Sequence, residues 1–369
     1  MKFDRRLLLN FDLFFLLVVV TICAIGLLNM YSAGFNVLSG RSGPLCLRQS
    51  LWFMTGLVFM AVIFGIDYRS FSRYAYIFYG VSLALLVIVF IVGDVTRGTQ
   101  RWLALGWFSF QPSELMKLAA IVALARYFAV NEKEGAYGLR ELVVPFLMVF
   151  VPFVLIMKQP DLGTALILLI IFASMALFVG VKGKTVMIVA TTGILLLPFS
   201  WYFLKDYQRE RLLAFFDPEG DPLGSGYHIL QSIIAVGSGG FFGKGFLKGT
   251  QSQLRFLPEH QTDFIFSVFA EEWGFLGSVV VMILYLTLIV WGLKIARQSR
   301  DYLGTLIAFG VTMLLFWEVV INVGMVVGFF PVVGIPLPFM SYGGSSMVVM
   351  MMGVGLLMSV STRRFILQP

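Results

Sequence analysis

Phe256-Leu257-Pro258-Glu259-His260-Gln261-Thr262-Asp263-Phe264-Ile265-Phe266 closes the one long polar segment of an otherwise apolar chain. A membrane-length apolar stretch begins immediately after it. Asp263 therefore sits at a boundary between water and membrane, wedged against three large apolar residues. A carboxylate there loses solvation, which pushes its pKa up toward working pH and makes it a candidate general base. The competing reading is a cap: Thr262 or Asp263 satisfies the free N–H groups that open the following helix.

Around this stretch, 59% of the 369 residues are hydrophobic and 13% are charged. Soluble domains run at about 45–50% apolar and about 25% charged. The chain reads as a polytopic membrane protein. Cys23 lies in mid-membrane, so Cys23 and Cys46 form no disulfide framework. With His228 and His260 as the only histidines, a zinc site is excluded. The net charge of +7 fits basic cytoplasmic loops better than a nucleic-acid binder. The first apolar run is too long for a cleavable signal peptide and lacks a cleavage site.

Apolar runs near 20 residues read as spanning helices. They fall at about 11–31, 49–66, 74–92, 113–130, 142–157, 163–180, 185–204, 266–293, 302–325 and 345–361. The fold class is thus an all-α integral membrane protein of about ten transmembrane helices, one polytopic domain over 1–369. A large extracytoplasmic loop, 205–265, joins spans 7 and 8. Lys2, Arg5, Arg6, Arg363 and Arg364 at the ends share a side with Arg69, Arg73, Arg126, Lys133, Arg140, Lys182, Lys184, Lys294, Arg297 and Arg300. Short loops opposite carry Arg41, Arg48, Arg97, Arg101 and Lys158. The asymmetry places both termini in the cytoplasm.

Within the long loop, Arg209 to Phe216 reads as a short amphipathic helix ended by Asp217-Pro218. Tyr227, Leu230 and Ile234 recur at helical spacing, so 226–236 reads as interfacial. The glycine-rich run from Gly237 to Gly245 is either an anion-holding nest or a flexible turn.

Ionisable residues at membrane depth are expensive and point to function. Glu114 and Lys117 share a face of the fourth span, after the helix start Gln111-Pro112-Ser113. They read either as a mutual ion pair or as the polar floor of an outward cavity. Asp161 reads as the cap of the sixth span. Glu271 falls two turns after Asp263 near the same face, Glu272 on another, and Glu318 lies deep in the ninth span. Arg101-Trp102 reads as part of an interfacial belt, or as Arg for phosphate beside Trp for a sugar face. Pro331 to Ser346 is helix-breaking yet apolar, which is tolerated only where protein covers it or it lines a wet cavity.

Five motifs in this order resemble those of the SEDS family (shape, elongation, division, sporulation). They are Arg101-Trp102, Gln111-Pro112-Ser113-Glu114, Gln159-Pro160-Asp161-Leu162-Gly163-Thr164, Pro258 to Phe264, and Pro338-Phe339-Met340-Ser341-Tyr342-Gly343-Gly344-Ser345-Ser346. The resemblance covers nearly the whole chain. Glu271-Glu272-Trp273-Gly274 and the compact termini favour the elongation member over the division member.

The resemblance implies a ten-span peptidoglycan glycosyltransferase of the bacterial cell membrane that polymerises lipid II on the extracytoplasmic side. Asp263 would be catalytic, deprotonating the acceptor hydroxyl as it attacks the anomeric carbon with inversion. Glu114 and Lys117 would line the central cavity, and Asp161 and Ser341 would border it. Arg101, Lys117 and Arg211 are candidates for the leaving pyrophosphate, and Trp102 for the sugar. It also implies a divalent cation, Mg²⁺ or Mn²⁺, of unknown ligands, a class B penicillin-binding transpeptidase as partner, and contacts with the growing glycan strand and membrane lipid. A lipid II flippase and a non-catalytic scaffold are the alternatives.

Overall fold

The computed structural model describes residues 11–36, 41–92, 94–96, 99–105, 108–220, 224–253, 256, 259 and 261–364. Lys2, Arg5, Arg6, Arg97, Trp107, Pro258 and His260 lie outside the described residues.

A helix occupies every position where the apolar runs place one. These are α1 Leu13–Ala33, α2 Pro44–Gly65, α4 Ala75–Val92, α5 Pro112–Val130, α6 Leu139–Lys158, α7 Leu162–Val179, α8 Gly183–Phe203, α12 Ile265–Arg297, α13 Tyr302–Val326 and α14 Gly344–Arg363. Short helices α3 Tyr68–Arg73, α9 Asp206–Phe216, α10 Ser225–Ser238 and α11 Thr250–Gln253 complete the set. Among the described residues, seven helices are long and apolar enough to cross a membrane. Ala75–Ile91 and Gly183–Leu196 are shorter apolar stretches. Helix α5 carries Glu114, Lys117 and Arg126.

The chain is not purely helical. Two small antiparallel sheets form in the connections, one from β1 Phe35–Asn36 and β2 Arg41–Ser42, the other from β3 Asp94–Thr96, β4 Thr99–Leu105 and β5 Phe108–Phe110. Trp102 pairs with Asp94 and Leu103 with Phe110. The connection between α4 and α5 is rich in β-branched and aromatic residues, which suit a pleated surface better than an open loop.

Helices α5, α13 and α14 form the centre. From Met116 to Ala125, α5 is buried throughout, against α4, α6, α7, α13 and α14. Helix α14 lies along α2, and α13 packs on α12. Phe11 meets Phe64, and the Arg363 guanidinium donates to the Phe64 carbonyl, so both ends of the described chain lie at one end of the bundle.

Helix α12 departs from a single straight span. Its 33 residues would reach ~50 Å, beyond a hydrocarbon core of ~30 Å. The chain breaks at Gly274, where φ is +67° and ψ −163°. The first segment is tied to α1 at two points: Asn29 Nδ2 donates to the Ile265 carbonyl, and Ser32 Oγ donates to the Glu272 carboxylate. Into the break sits the glycine-rich run after α10. Lys244 N–H and Gly245 N–H donate to the carbonyls of Glu271 and Glu272, and Phe275 N–H and Leu276 N–H donate to those of Gly240 and Phe241. These N–H groups are spent on peptide carbonyls, so the run is a plug in the helix break rather than an anion nest. Glu271 holds the same plug, accepting from Lys244 Nζ at 2.6 Å and from Thr250 N–H at 2.8 Å. Glu271 therefore does not continue a polar face beneath Asp263, as uninterrupted helical spacing implies.

A Cβ on residue 274 would lie 2.3 Å from the Gly243 nitrogen and 2.8 Å from the Phe241 oxygen. Gly274→Ala is expected to cost about 2 kcal/mol or more, combining backbone strain with expulsion of the plug. The check is thermal unfolding in detergent; an unchanged Tm would refute the seating of residues 240–245 in the break.

Candidate functional site

Asp263 lies in the turn 261–264, half-buried, immediately before α12. The helix cap is Phe264 and no side chain caps the helix, so Asp263 is not spent on helix N–H groups. Its turn is fixed through its backbone. Tyr342 N–H donates to the Gln261 carbonyl at 2.9 Å, Ser341 Oγ to that of Thr262 at 2.6 Å, and Asn322 Nδ2 to that of Asp263 at 2.9 Å. The opposing segment is tied in turn: Asn322 Nδ2 donates to the Ile335 carbonyl at 2.7 Å, and Leu337 N–H to Ser341 Oγ at 2.8 Å. Gln49 Nε2 donates to the Ser341 carbonyl at 3.1 Å, and Gln49 Oε1 accepts from Gly343 N–H. The apolar breaker segment after Pro331 is thus covered by protein polar groups, as non-helical backbone at membrane depth requires.

Gly334 faces the carboxylate. It has φ +73°, and a Cβ there would lie 3.3 Å from Asp263 Oδ2. Burial pushes Asp263 up to about 6; the Glu259 carboxylate adds to the rise and the Arg211 cation opposes it. Asp161 raises it and Arg101 lowers it to smaller extents. Two acids and two guanidiniums thus act on one carboxylate.

Each cation is held by main chain. Arg101, on β4, donates Nε to the Gln159 carbonyl at 3.1 Å and Nη2 to the Pro160 carbonyl, with Nη1 3.8 Å from Asp161 Oδ1. Arg211, on α9, donates to the Val332 carbonyl at 3.2 Å. Asp161 caps α7, accepting from Thr164 N–H at 3.4 Å, and accepts from Gln111 Nε2 at 3.0 Å. Beside this group lies a cavity of about 80 Å³ with apolar walls from Leu162, Leu166, Leu212 and Pro331, and with Gln208 and Arg211 among its lining.

The structure gathers Asp263, Arg101, Asp161, Arg211 and Ser341 at one end of the bundle, but not all in the roles the sequence suggests. Both hydroxyl functions of Ser341 are used internally. Trp102 follows Arg101 on a strand, so it faces the opposite side of the sheet from the guanidinium. Glu114 and Lys117 do not floor an open cavity. They are 3% and 1% exposed, and Lys117 Nζ sits 2.9 Å from the Glu114 carboxylate and 2.5 Å from Glu318 Oε1. Two anions outcompete water for one ammonium, which closes the group into a buried triad. Glu318, 201 residues away in sequence, is its third member. Sequence reasoning missed Asn29, Gln49 and Asn322. The available signal was a carboxamide inside an otherwise apolar span, which must find partners there.

These features define a multi-pass membrane protein with a charge-lined site at the end of its bundle away from the termini. The chain belongs to the FtsW/RodA/SpoVE family, whose model, described as cell cycle protein, matches residues 12–365. It is 41% identical over 350 residues to the peptidoglycan glycosyltransferase MrdB of Escherichia coli strain K12, covering 95% of this chain and 93% of that one. It is 34% identical to the peptidoglycan glycosyltransferase RodA of Treponema pallidum, covering 96% and 98%. Among solved structures it resembles a chain of a peptidoglycan synthase complex that coordinates polymerization and crosslinking. The TM-score is 0.82 at 34% identity, covering 96% of this chain and 98% of that one. The rod shape determining protein RodA of Thermus thermophilus superposes with a TM-score of 0.72 at 29% identity, again covering 96% and 98%.

Lys117→Ala should lower stability by about 3–5 kcal/mol, because it leaves two buried carboxylates without their cation, and Glu318→Ala should cost less, because Lys117 keeps Glu114 as its partner. The double variant should lose less than the sum by about 1–3 kcal/mol. Strictly additive losses in thermal or denaturant unfolding would dissolve the triad.

Proposed function

We propose that the chain is a peptidoglycan glycosyltransferase that polymerises lipid II, with Asp263 as the base. The observation that carries this reading is a half-buried carboxylate, pushed up to about 6, within the field of two cations that are anchored on peptide carbonyls. The names of the relatives support the activity.

Joining two disaccharides requires a sugar hydroxyl to attack an anomeric carbon bearing a lipid pyrophosphate. The hydroxyl becomes nucleophilic enough only as a base removes its proton. Asp263 takes that proton. The new glycosidic bond forms opposite the departing pyrophosphate, so the centre inverts, as in inverting hydrolysis with a sugar in place of water. Arg101 and Arg211 face the growing negative charge of the leaving group with planar forks suited to phosphate oxygens. Glu114, Lys117 and Glu318 act beneath the site as a closed, ion-paired support. Apolar cavity walls beside Arg211 let a polyprenyl tail stay out of water while the sugars react.

Mg²⁺ or Mn²⁺ belongs to the proposal only with its substrate. No cluster of three or more His, Cys, Asp or Glu suited to a metal occurs among the described residues. Magnesium bound chiefly by pyrophosphate oxygens needs few protein ligands. Bound there, it would screen the leaving group's charge.

In this reading the ten long helices all cross the membrane, both termini are cytoplasmic, and residues 205–265 form the extracytoplasmic loop that carries the site. The partner is a class B penicillin-binding transpeptidase, in keeping with the crosslinking function of the synthase complex this chain resembles. A cysteine at the exposed position Glu210, with Cys23 and Cys46 removed, should react with an impermeant reagent on intact cells. Labelling only after lysis would overturn the orientation.

Asp263→Asn keeps the shape of the side chain and cannot accept the proton. Lipid II polymerisation by the purified variant should fall by roughly 10²–10⁴ with folding intact. Near wild-type polymerisation would end the base assignment. Wild-type protein that translocates labelled lipid II without polymerising it would identify a flippase. Wild-type protein inert in both assays would identify a scaffold.

The pH dependence has a defined sign. The base works when ionised, so wild-type kcat/KM should rise with pH through about 6 and level off above. Because the folded-state pKa is raised, protonated Asp263 favours the folded state. That contribution is complete below the ordinary carboxylate range and is lost as pH rises toward about 6. Removing Asp263 should therefore flatten stability across that window, as read by unfolding at several pH values.

A further inference from the structure

We propose that Asn322 is a positioning residue for Asp263, fixing the base against the wall that faces it. The inference rests on the reading of Asp263 as the base. Asn322 is wholly buried on α13, one turn beyond Glu318 on the same face. Its carboxamide donates to two main-chain carbonyls from different segments, Asp263 at 2.9 Å and Ile335 at 2.7 Å. Ile335 directly follows Gly334, whose missing Cβ leaves the space that Asp263 Oδ2 faces. One side chain therefore joins the backbone of the base to the backbone of its wall.

Burying a carboxamide is costly, and the Asn322 Oδ1 atom has no hydrogen-bond partner among the described residues. A leucine would fill this apolar helix face without that cost. What leucine cannot do is bridge the two carbonyls, and the bridge sets where the carboxylate stands. Its inner anchor is rigid, because Glu318 is locked to Lys117 one turn away. Ser341 bonds the Thr262 carbonyl on the same turn, and Asn29 the Ile265 carbonyl at the start of α12. Asn322 bonds the carbonyl of the base itself and that of the residue next to Gly334 in the wall.

Among the described residues, the charged groups that act on Asp263 are Glu259 just before its turn, Arg211 of α9, Asp161 at the head of α7 and Arg101 of β4. None is altered by replacing Asn322. A change in the titration of Asp263 in such a variant therefore reports its placement and hydration.

The test uses purified full-length wild type, Asn322→Leu, Asn322→Ser and Asp263→Asn, with lipid II polymerisation followed from about pH 5 to 8 and thermal unfolding on the same samples. Asn322→Leu removes both donors at similar volume. Asn322→Ser leaves one short donor that cannot span both carbonyls, and serves if the leucine variant fails to fold. The expected result is a kcat lower by about 10- to 100-fold, as an ångström of misplacement produces, with KM for lipid II within about threefold. The acid limb of kcat/KM should move to lower pH as the loosened carboxylate gains water. Folded variants with wild-type kcat and an unmoved limb would overturn the proposal. So would activity that falls only in proportion to folded protein, with the limb unmoved. Asp263→Asn separates the two failures. If it polymerises, the base assignment is lost. If it is inactive while the Asn322 variants behave as wild type, only the positioning role is lost.

Discussion

Peptide groups that leave helical geometry inside a membrane protein must still be hydrogen-bonded, and no bulk water is there to do it. The site depends on how this chain meets that constraint. The turn bearing Asp263 and the segment from Pro331 to Gly343 are both irregular, and the second is largely apolar in sequence. Side chains from α2 and α13 reach in to satisfy them, through Gln49 and Asn322, while Asn29 of α1 bonds the first carbonyl of α12 beside the turn. Irregular backbone is what lets a carboxylate and two guanidiniums converge. The buried amides are what make that backbone tolerable.

Charge is handled by the same economy of partners. At the centre, one ammonium is shared between two carboxylates, and the set is closed to solvent. At the break in α12, Glu271 gathers an ammonium and two peptide N–H groups. Around Asp263 the arrangement stays open: its neighbours oppose one another in sign, and burial decides the outcome. Closed groups hold helices in register. The open one is left able to exchange a proton.

What could be read from the sequence is what is local in it. Ten apolar runs gave ten helices at the expected places, and Asp161 capped α7 as its Pro-Asp-Leu-Gly setting suggested. The end of the amphipathic segment at Asp217 was equally plain. What could not be read depends on distant contacts. Gly274 looks like any glycine of a membrane helix until the plug from residues 240–245 is seen against it. Arg101 and Trp102 look like a pair until a strand turns them to opposite faces. Lys117 shows its nearer partner by helical spacing, but not Glu318, which arrives from another helix. The amide frame is invisible for the same reason, since nothing near Asn29, Gln49 or Asn322 in sequence names the carbonyl it bonds.

Those long separations bear on biosynthesis. Asn29 meets Ile265 across 236 positions, Gln49 meets Ser341 across 292, and Lys117 meets Glu318 across 201. A chain entering the bilayer from its N-terminus inserts α1, α2 and α5 long before their partners leave the ribosome. Glu114 and Lys117, three residues apart on α5, can travel as a self-neutralised pair during that interval. The lone amides have no such companion, and only completion of α12 to α14 provides their carbonyls. The candidate site is therefore among the last parts of the molecule to exist, and a nascent chain does not hold its geometry until its final helices are in place.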